Sequence, residues 1–115
     1  MKKLMTMAVL AAGLSTFAFA QAPAPVAGNA TQGADKTRMC EGCHGIPGFR
    51  TAFPEVYSVP RLGGQHPEYI VKALQEYKSG ERSHPSMRSI AASLSDQDMA
   101  DLAAYYGQST VTARK

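Results

Sequence analysis

The chain has 115 residues, enough for one domain, with 44% hydrophobic residues, no tryptophan and a formal net charge of +3. Its charges are mixed and form no basic run, which argues against a nucleic-acid-binding protein. Its two cysteines, Cys40 and Cys43, could form a disulfide, but their two-residue gap would close a loop too short to stabilise a fold much, which favours a chemical role.

The first twenty residues have the layout of a secretory signal peptide. Lys2 and Lys3 form a positive start, an apolar stretch follows, and Ala18-Phe19-Ala20 is an A-x-A cleavage signal. We expect cleavage after Ala20, with a retained membrane anchor as the alternative. Loss of the two lysines lowers the formal charge from +3 to +1. The remaining 95 residues are therefore expected to be exported to an oxidising compartment.

Residues 21–28 are rich in proline, alanine and glycine, and they are predicted to be a flexible leader. Asn29 or Thr31 could then cap a first helix that runs to about Cys40. Gly33 weakens such a helix unless it serves a purpose, and close approach by another helix is that purpose. The alternative is a frayed helix N-terminus.

The sequence Cys-Glu-Gly-Cys-His, which ends at His44, has the C-x-x-C-H form typical of covalent attachment of a c-type haem. On a helical turn Cys40 and Cys43 share a face, so both sulfurs can reach the two vinyl groups on one porphyrin edge. His44 can then bind the iron from the same side. A redox dithiol would belong near a strand–helix–strand pattern, which is not visible here. A zinc site would need a second close pair of ligands, but His66 and His84 lie far apart.

The hydrophobic core of so short a chain is thin, because 95 residues bury only about two-thirds of their unfolded surface. A haem would supply a large apolar body, fixed to the chain by two covalent bonds. The chain without haem is therefore predicted to be poorly folded.

A segment with several prolines and glycines, residues 45–60, is predicted to be a long loop. Compact domains seldom keep a loop of this length without a purpose, and wrapping a cofactor is such a purpose. Its apolar side chains would then line a cavity. They are Phe49, Phe53, Val56, Tyr57 and Val59. The alternative is an Ω-loop that packs on itself.

The next segment predicts a helix that begins at Pro67 and ends at Ser79-Gly80. Proline suits the first helical position, and Glu68 places an acid in the first turn. Apolar residues then recur at spacings of one, three and four, which predicts a buried stripe. The stripe consists of Tyr69, Ile70, Ala73, Leu74 and Tyr77.

The last helix is predicted to begin after Ser95 and to end at Gly107. Asp98 supplies an Asp variant of the S-x-x-E capping box. Its buried stripe consists of Met99, Leu102, Ala103 and Tyr106. Residues 111–115 form a polar tail that is predicted to be disordered. No strand pattern appears anywhere in the sequence.

Met87 is the predicted second ligand of the iron, on the face opposite His44. Met87 lies in a predicted polar loop over residues 81–89, where an isolated apolar side chain needs a reason, and it lies 43 positions after His44, enough chain to pass around a porphyrin. Met99 lies on an apolar stripe, where packing is the default role. His84 is the alternative ligand, and the remaining possibility is an iron with no second protein ligand. His/Met ligation raises the reduction potential and leaves no position for oxygen, which predicts one-electron transfer.

Three ordered motifs resemble small bacterial class I c-type cytochromes. They are C-x-x-C-H, P-x-L-x-G-Q from Pro60, and M-x-x-I-A-x-x-L-S-x-x-D-M-A-D-L-A-A-Y-Y from Met87. The resemblance runs from about Gly33 to Gly107. It is closest to soluble periplasmic members that occur as one-haem or tandem two-haem proteins, and we expect the mono-haem type here.

The resemblance implies an all-α class I cytochrome c fold over residues 29–110, in which the first and last helices cross around one covalently bound haem c. By position, Cys40 and Cys43 take the thioether bonds, His44 is the proximal ligand and Met87 the distal one.

Pro60 matches the family proline whose carbonyl accepts a hydrogen bond from the proximal histidine, although Pro47 or Pro54 could serve instead. Gly33 matches the small residue on which an aromatic side chain of the last helix packs, here Tyr105 or Tyr106.

The implied function is that of a periplasmic electron carrier and not of an enzyme. Its donor would be a quinol-oxidising complex or a periplasmic dehydrogenase, and its acceptor a terminal oxidase or reductase. No nucleic acid and no stable membrane insertion after signal removal are expected. Candidates for a charged docking patch are Arg38, Arg50, Arg61, Arg82 and Arg88, for which plain solubility is the alternative role. The alternative functions are a haem c subunit of a periplasmic dehydrogenase complex and a haem-based gas sensor.

Overall fold

The computed structural model describes residues 24–52 and 56–108. The helices in these ranges are α1 (Ala30–Asp35), α2 (Arg38–His44), α3 (Pro67–Ser79), α4 (Pro85–Ala92) and α5 (Asp96–Tyr106). The same ranges contain no β-strand beyond one isolated antiparallel bridge between Arg50 and Ser58. The all-α prediction is confirmed.

Several sequence predictions fall on residues that the structure does not describe. These are the signal peptide and the start of the leader, Phe53 and Pro54 of the long loop, and the polar tail. In the described part of the chain, no helix combines the length and the apolar character that crossing a membrane requires.

The predicted single helix from Asn29 to about Cys40 is wrong, because two helices occupy this segment. Asn29 is the cap of α1, and its Oδ1 accepts hydrogen bonds from the backbone N–H groups of Thr31 at 2.9 Å and Gln32 at 3.1 Å. The helix ends because Thr37 is buried and its hydroxyl lies 2.9 Å from the carbonyl oxygen of Ala34. Side chains of this kind compete with the backbone for helical hydrogen bonds. A second helix, α2, therefore begins at Arg38.

The close approach predicted at Gly33 is confirmed. A Cβ on this residue would collide with the carbonyl oxygen of Asp101 and lie 2.8 Å from the Cβ of Tyr105. Tyr105 is therefore the tyrosine that packs on Gly33. Tyr106 faces the opposite way, into the core, and is 7% exposed. The first and last helices of the described chain thus cross at a glycine.

The core lies between α3 and α5. It consists of Ile70, Leu94, Met99, Leu102, Ala103 and Tyr106. The predicted stripe of α5 is buried throughout, and its capping box is present, with the Ser95 hydroxyl 3.1 Å from the Asp98 backbone nitrogen. In α3, Ile70 of the predicted stripe is buried, and three further members are half-buried, namely Ala73, Leu74 and Tyr77. Tyr69 is 49% exposed, so its place in the buried stripe was predicted wrongly. Its hydroxyl accepts a hydrogen bond from the guanidinium of Arg82 instead, at 3.4 Å.

Helix α3 ends as predicted, with Gly80 in the left-handed conformation at φ +89°. The loop predicted over residues 81–89 is wrong from Pro85 onward, where α4 begins. His84 is its N-cap, and Pro85 occupies the first helical position, where its missing N–H costs no hydrogen bond.

The long loop before α3 folds back on itself. The backbone N–H of Val59 donates to the carbonyl of Phe49 at 3.0 Å, and that of Thr51 donates to the carbonyl of Tyr57 at 2.9 Å. This internal bonding agrees with the Ω-loop alternative. It does not exclude contact with a cofactor, since Val56 is 61% exposed.

Candidate cofactor site

The C-x-x-C-H motif lies at the C-terminal end of α2. Both thiols are free, with Cys43 exposed and Cys40 half-buried against the core cluster between α3 and α5. Burial raises the pKa of the Cys40 thiol. Because residues three apart lie on one helix face, the two sulfurs are displayed on the same side of α2. This spacing suits two bonds to one flat group.

His44 is held by a hydrogen bond from its ring. Its Nδ1 lies 2.7 Å from the carbonyl oxygen of Pro60, an oxygen that can only accept, so Nδ1 carries the proton. The other ring nitrogen, Nε2, is then left with a lone pair, which is the form that binds a metal. The partner carbonyl, which the sequence left open among three prolines, is that of Pro60.

Met87 occupies the third position of α4, and its side chain is half-buried. The backbone N–H of Met87 donates to Nδ1 of His84 at 3.3 Å. His84 was the alternative candidate for the second iron ligand, but in this structure its Nδ1 serves as the cap of the helix that carries Met87. The ring of Tyr57, from the long loop, lies 4.6 Å from the ring of His84.

The side chains present suit a covalently attached haem. They provide two free thiols one helical turn apart, an imidazole whose Nδ1 is already bonded, and a thioether on another helix. Apolar side chains of the long loop that follows the motif are left exposed, with Ile46 at 48% and Val56 at 61%. A porphyrin offers apolar surface against which such side chains can pack. Over residues 24–52 and 56–108, no group of three or more His, Cys, Asp or Glu side chains is arranged to hold a metal ion.

Asp101 is a buried charge that fixes α1 to α5. Its carboxylate is fully buried and accepts hydrogen bonds from Lys36 Nζ at 2.6 Å, the Asn29 backbone N–H at 2.8 Å and Gln97 Nε2 at 2.9 Å. The bond from Lys36, followed by the one from Asn29, holds the pKa of the Asp101 carboxyl below its usual range. The first part of the chain is thereby fixed to α5.

The sequence reasoning missed two features of this site. It did not anticipate that His84 caps α4 or that Tyr57 supports its ring. A signal for the first was present, because His84-Pro85 repeats the His66-Pro67 pair that was correctly placed at the start of α3.

Comparisons with known proteins agree with this geometry. Residues 30–109 match the family model for cytochrome c. The chain is 37% identical over 106 residues to cytochrome c4 of Pseudomonas aeruginosa, a match that covers 92% of this chain and 48% of that protein. It is 40% identical over 83 residues to cytochrome c-554(548) of Halomonas halodenitrificans, covering 70% of this chain and 95% of that protein.

A solved structure supports the same relationship. The reduced recombinant cytochrome c4 from Pseudomonas stutzeri superposes with a TM-score of 0.56 at 30% identity, covering 71% of this chain and 51% of that chain. The present chain thus spans about half the length of the cytochrome c4 relatives that it matches, and nearly the whole length of the Halomonas protein.

Proposed function

The chain belongs to the cytochrome c family, and from this premise we propose that it is a periplasmic one-electron carrier with a single haem c. In this proposal Cys40 and Cys43 form the two thioether bonds, and His44 and Met87 are the axial ligands. One C-x-x-C-H motif in the sequence supports one haem. The match to the Halomonas cytochrome, which covers 95% of that protein, supports a unit of about this size.

The observation that carries the proposal is the 2.7 Å contact between His44 Nδ1 and the Pro60 carbonyl. It fixes the tautomer and the orientation of a histidine that directly follows the two attachment cysteines. An imidazole held in this way is prepared to bind a metal through Nε2 without first rearranging.

When bound, a haem supplies an iron that cycles between Fe(II) and Fe(III). The chain determines how that iron behaves. A neutral thioether from Met87 favours the ferrous state and so raises the reduction potential. If His44 and Met87 both hold the iron, a bound haem would leave no position for oxygen or peroxide. This supports electron transfer rather than catalysis by the chain alone.

The proposed location is the periplasm, after removal of residues 1–20, and the proposed partners are redox proteins. A quinol-oxidising complex or a periplasmic dehydrogenase would be the donor, and a terminal oxidase or reductase the acceptor. The support is the lysine-led apolar start with its A-x-A signal, together with the family membership.

Intact mass and absorption spectra test the proposal on protein made with haem-maturation machinery. We expect the mass of the processed chain plus one haem, and oxidised and reduced spectra of a low-spin iron with a methionine–iron charge-transfer band. A mass equal to the bare processed chain would refute haem attachment. Ready binding of carbon monoxide to the reduced protein at neutral pH would favour the gas-sensor alternative over the carrier.

A further inference from the structure

The two segments that carry the proposed axial ligands are connected through one ring contact. Tyr57 lies in the same loop as Pro60, whose carbonyl holds His44. The ring of Tyr57 is 4.6 Å from that of His84, and His84 is bonded to the backbone of Met87. The same loop therefore contacts His44 directly and reaches the backbone of Met87 through His84.

The bond from Met87 to His84 fixes the residue that presents the thioether. An N-cap side chain accepts from the N–H of the second or third helical residue, and here the donor is Met87 at the third position, with 3.3 Å between its backbone nitrogen and His84 Nδ1. The carbonyl of His84 also accepts the N–H of Arg88 at 2.9 Å. His84 thus determines where the first turn of α4 begins.

Helix α3 holds both ends of this segment. The ring of Tyr77 meets the ring of His84 edge-on, at 6.5 Å and 79°. The next residue, Lys78, donates from Nζ to the carbonyl of Leu94, just beyond the end of α4, at 2.6 Å. Helix α4 is therefore fixed at both ends by side chains, and His84 is the contact nearest to Met87.

We infer that His84 is a positioning residue for the distal ligand. Its cap, supported by Tyr57, holds the backbone of Met87 so that the thioether remains on the iron. This inference rests on the proposed function, since it takes Met87 as the ligand. Histidine is not among the common N-cap residues, so its use here calls for a reason beyond ending a helix. The ring contacts that His84 makes with Tyr57 and Tyr77 are ones that a serine or aspartate cap could not provide.

The test is competition for the iron by imidazole in the oxidised haem protein. His84→Ala removes the cap, and we expect imidazole to bind about fivefold more tightly, the factor that corresponds to a typical capping bond of about 1 kcal/mol. His84→Asn restores an acceptor without the ring, and its affinity is expected to lie between the two. The matched control is Asn29→Ala, which removes a cap of the same kind from α1. It should lower thermal stability and leave imidazole affinity unchanged.

The outcomes separate this inference from the proposed function. If the unmodified protein lacks the methionine–iron band, the assignment of Met87 fails. If that band is present and His84→Ala binds imidazole as the unmodified protein does, only the positioning role is overturned, even if thermal stability falls. Should His84→Ala fail to incorporate haem, Tyr57→Leu provides the second test. It leaves the capping atoms in place, and tighter imidazole binding is expected, whereas unchanged affinity would refute the role.

Discussion

Gly33 in α1 lies directly against Asp101 in α5. A side chain at Gly33 would meet the Asp101 carbonyl oxygen and the Cβ of Tyr105. The carboxylate of the same Asp101 accepts hydrogen bonds from the Asn29 backbone at the start of α1 and from Lys36 after its end. Asp101 therefore contacts α1 where the two helices cross, and it also fixes α1 at both of its ends.

Gly33→Ala is expected to destabilise the haem protein by about 1–3 kcal/mol, because the added methyl group overpacks the crossing. Urea unfolding measures the loss. Gly42→Ala is the matched control, since nothing lies within 4 Å of a Cβ at that helical position. The control should keep its stability or gain up to about 1 kcal/mol. Equal stability of the two variants would show that α1 and α5 can move apart at the crossing without loss of unfolding free energy.

The stability of the protein should fall in acid because of Asp101. Its pKa is lowered in the folded state, chiefly by the hydrogen bond from Lys36, and the pKa of Asp98 is lowered by the same lysine. A lowered folded pKa gives stability that is complete above the unfolded value, near 4 for Asp, and is lost as the pH falls through the folded value. Unfolding free energy should therefore decrease progressively below about pH 4.

Asp101→Asn should lower stability at neutral pH and make the decline in acid shallower, with Asp98 supplying what remains. Asp35→Asn removes the same charge at an exposed position and controls for net charge. Urea midpoints from pH 2 to pH 7 report both effects. An unchanged acid slope in Asp101→Asn would contradict the role of the buried carboxylate.

Replacing Met99 or Met39 by alanine should affect stability to very different degrees. Met99 is fully buried, so Met99→Ala should cost about 2–5 kcal/mol. Met39 is 51% exposed, and Met39→Ala should stay within about 0.5 kcal/mol of the parent. Both variants should keep the methionine–iron band. If Met99→Ala loses that band while the fold stays intact, Met99 is the iron ligand and the assignment to Met87 is wrong.

Met87→Ala should lower the reduction potential and admit external ligands, because it removes the neutral sulfur and frees an axial position. Redox titration and carbon monoxide binding to the reduced protein measure the two effects. Met39→Ala serves as the comparison, since it removes the same side chain from an exposed position. A spectrum of Met87→Ala that matches the parent would remove Met87 from the site.

The chain without haem should fold poorly. Replacing both Cys40 and Cys43 by serine prevents attachment, and the remaining core between α3 and α5 is small. We expect the cooperative thermal transition to be lost and far-UV circular dichroism to weaken. Cys43→Ser alone keeps one thioether bond and should retain part of the transition. A sharp transition in the double variant would show that the protein core suffices.

Local sequence patterns predicted three helix ends correctly, and they are also the source of the proposed set of haem-binding residues. The caps at Asn29 and Ser95 and the stop at Gly80 depend on hydrogen bonds within a few residues, so local signals predict them. Predictions from local sequence patterns were wrong at two places. They missed the break at Thr37, and they took the polar composition around Met87 for a loop.

Contacts between residues that are far apart in the sequence became visible only in the folded structure. Sequence spacing could not choose the proline opposite His44, nor show that Tyr105 rather than Tyr106 packs on Gly33. It also gave no sign that Tyr57 supports His84, 27 positions further along the chain. Such contacts depend on how the loop and the helices pack in three dimensions, and residues far apart in sequence carry no periodicity that specifies them.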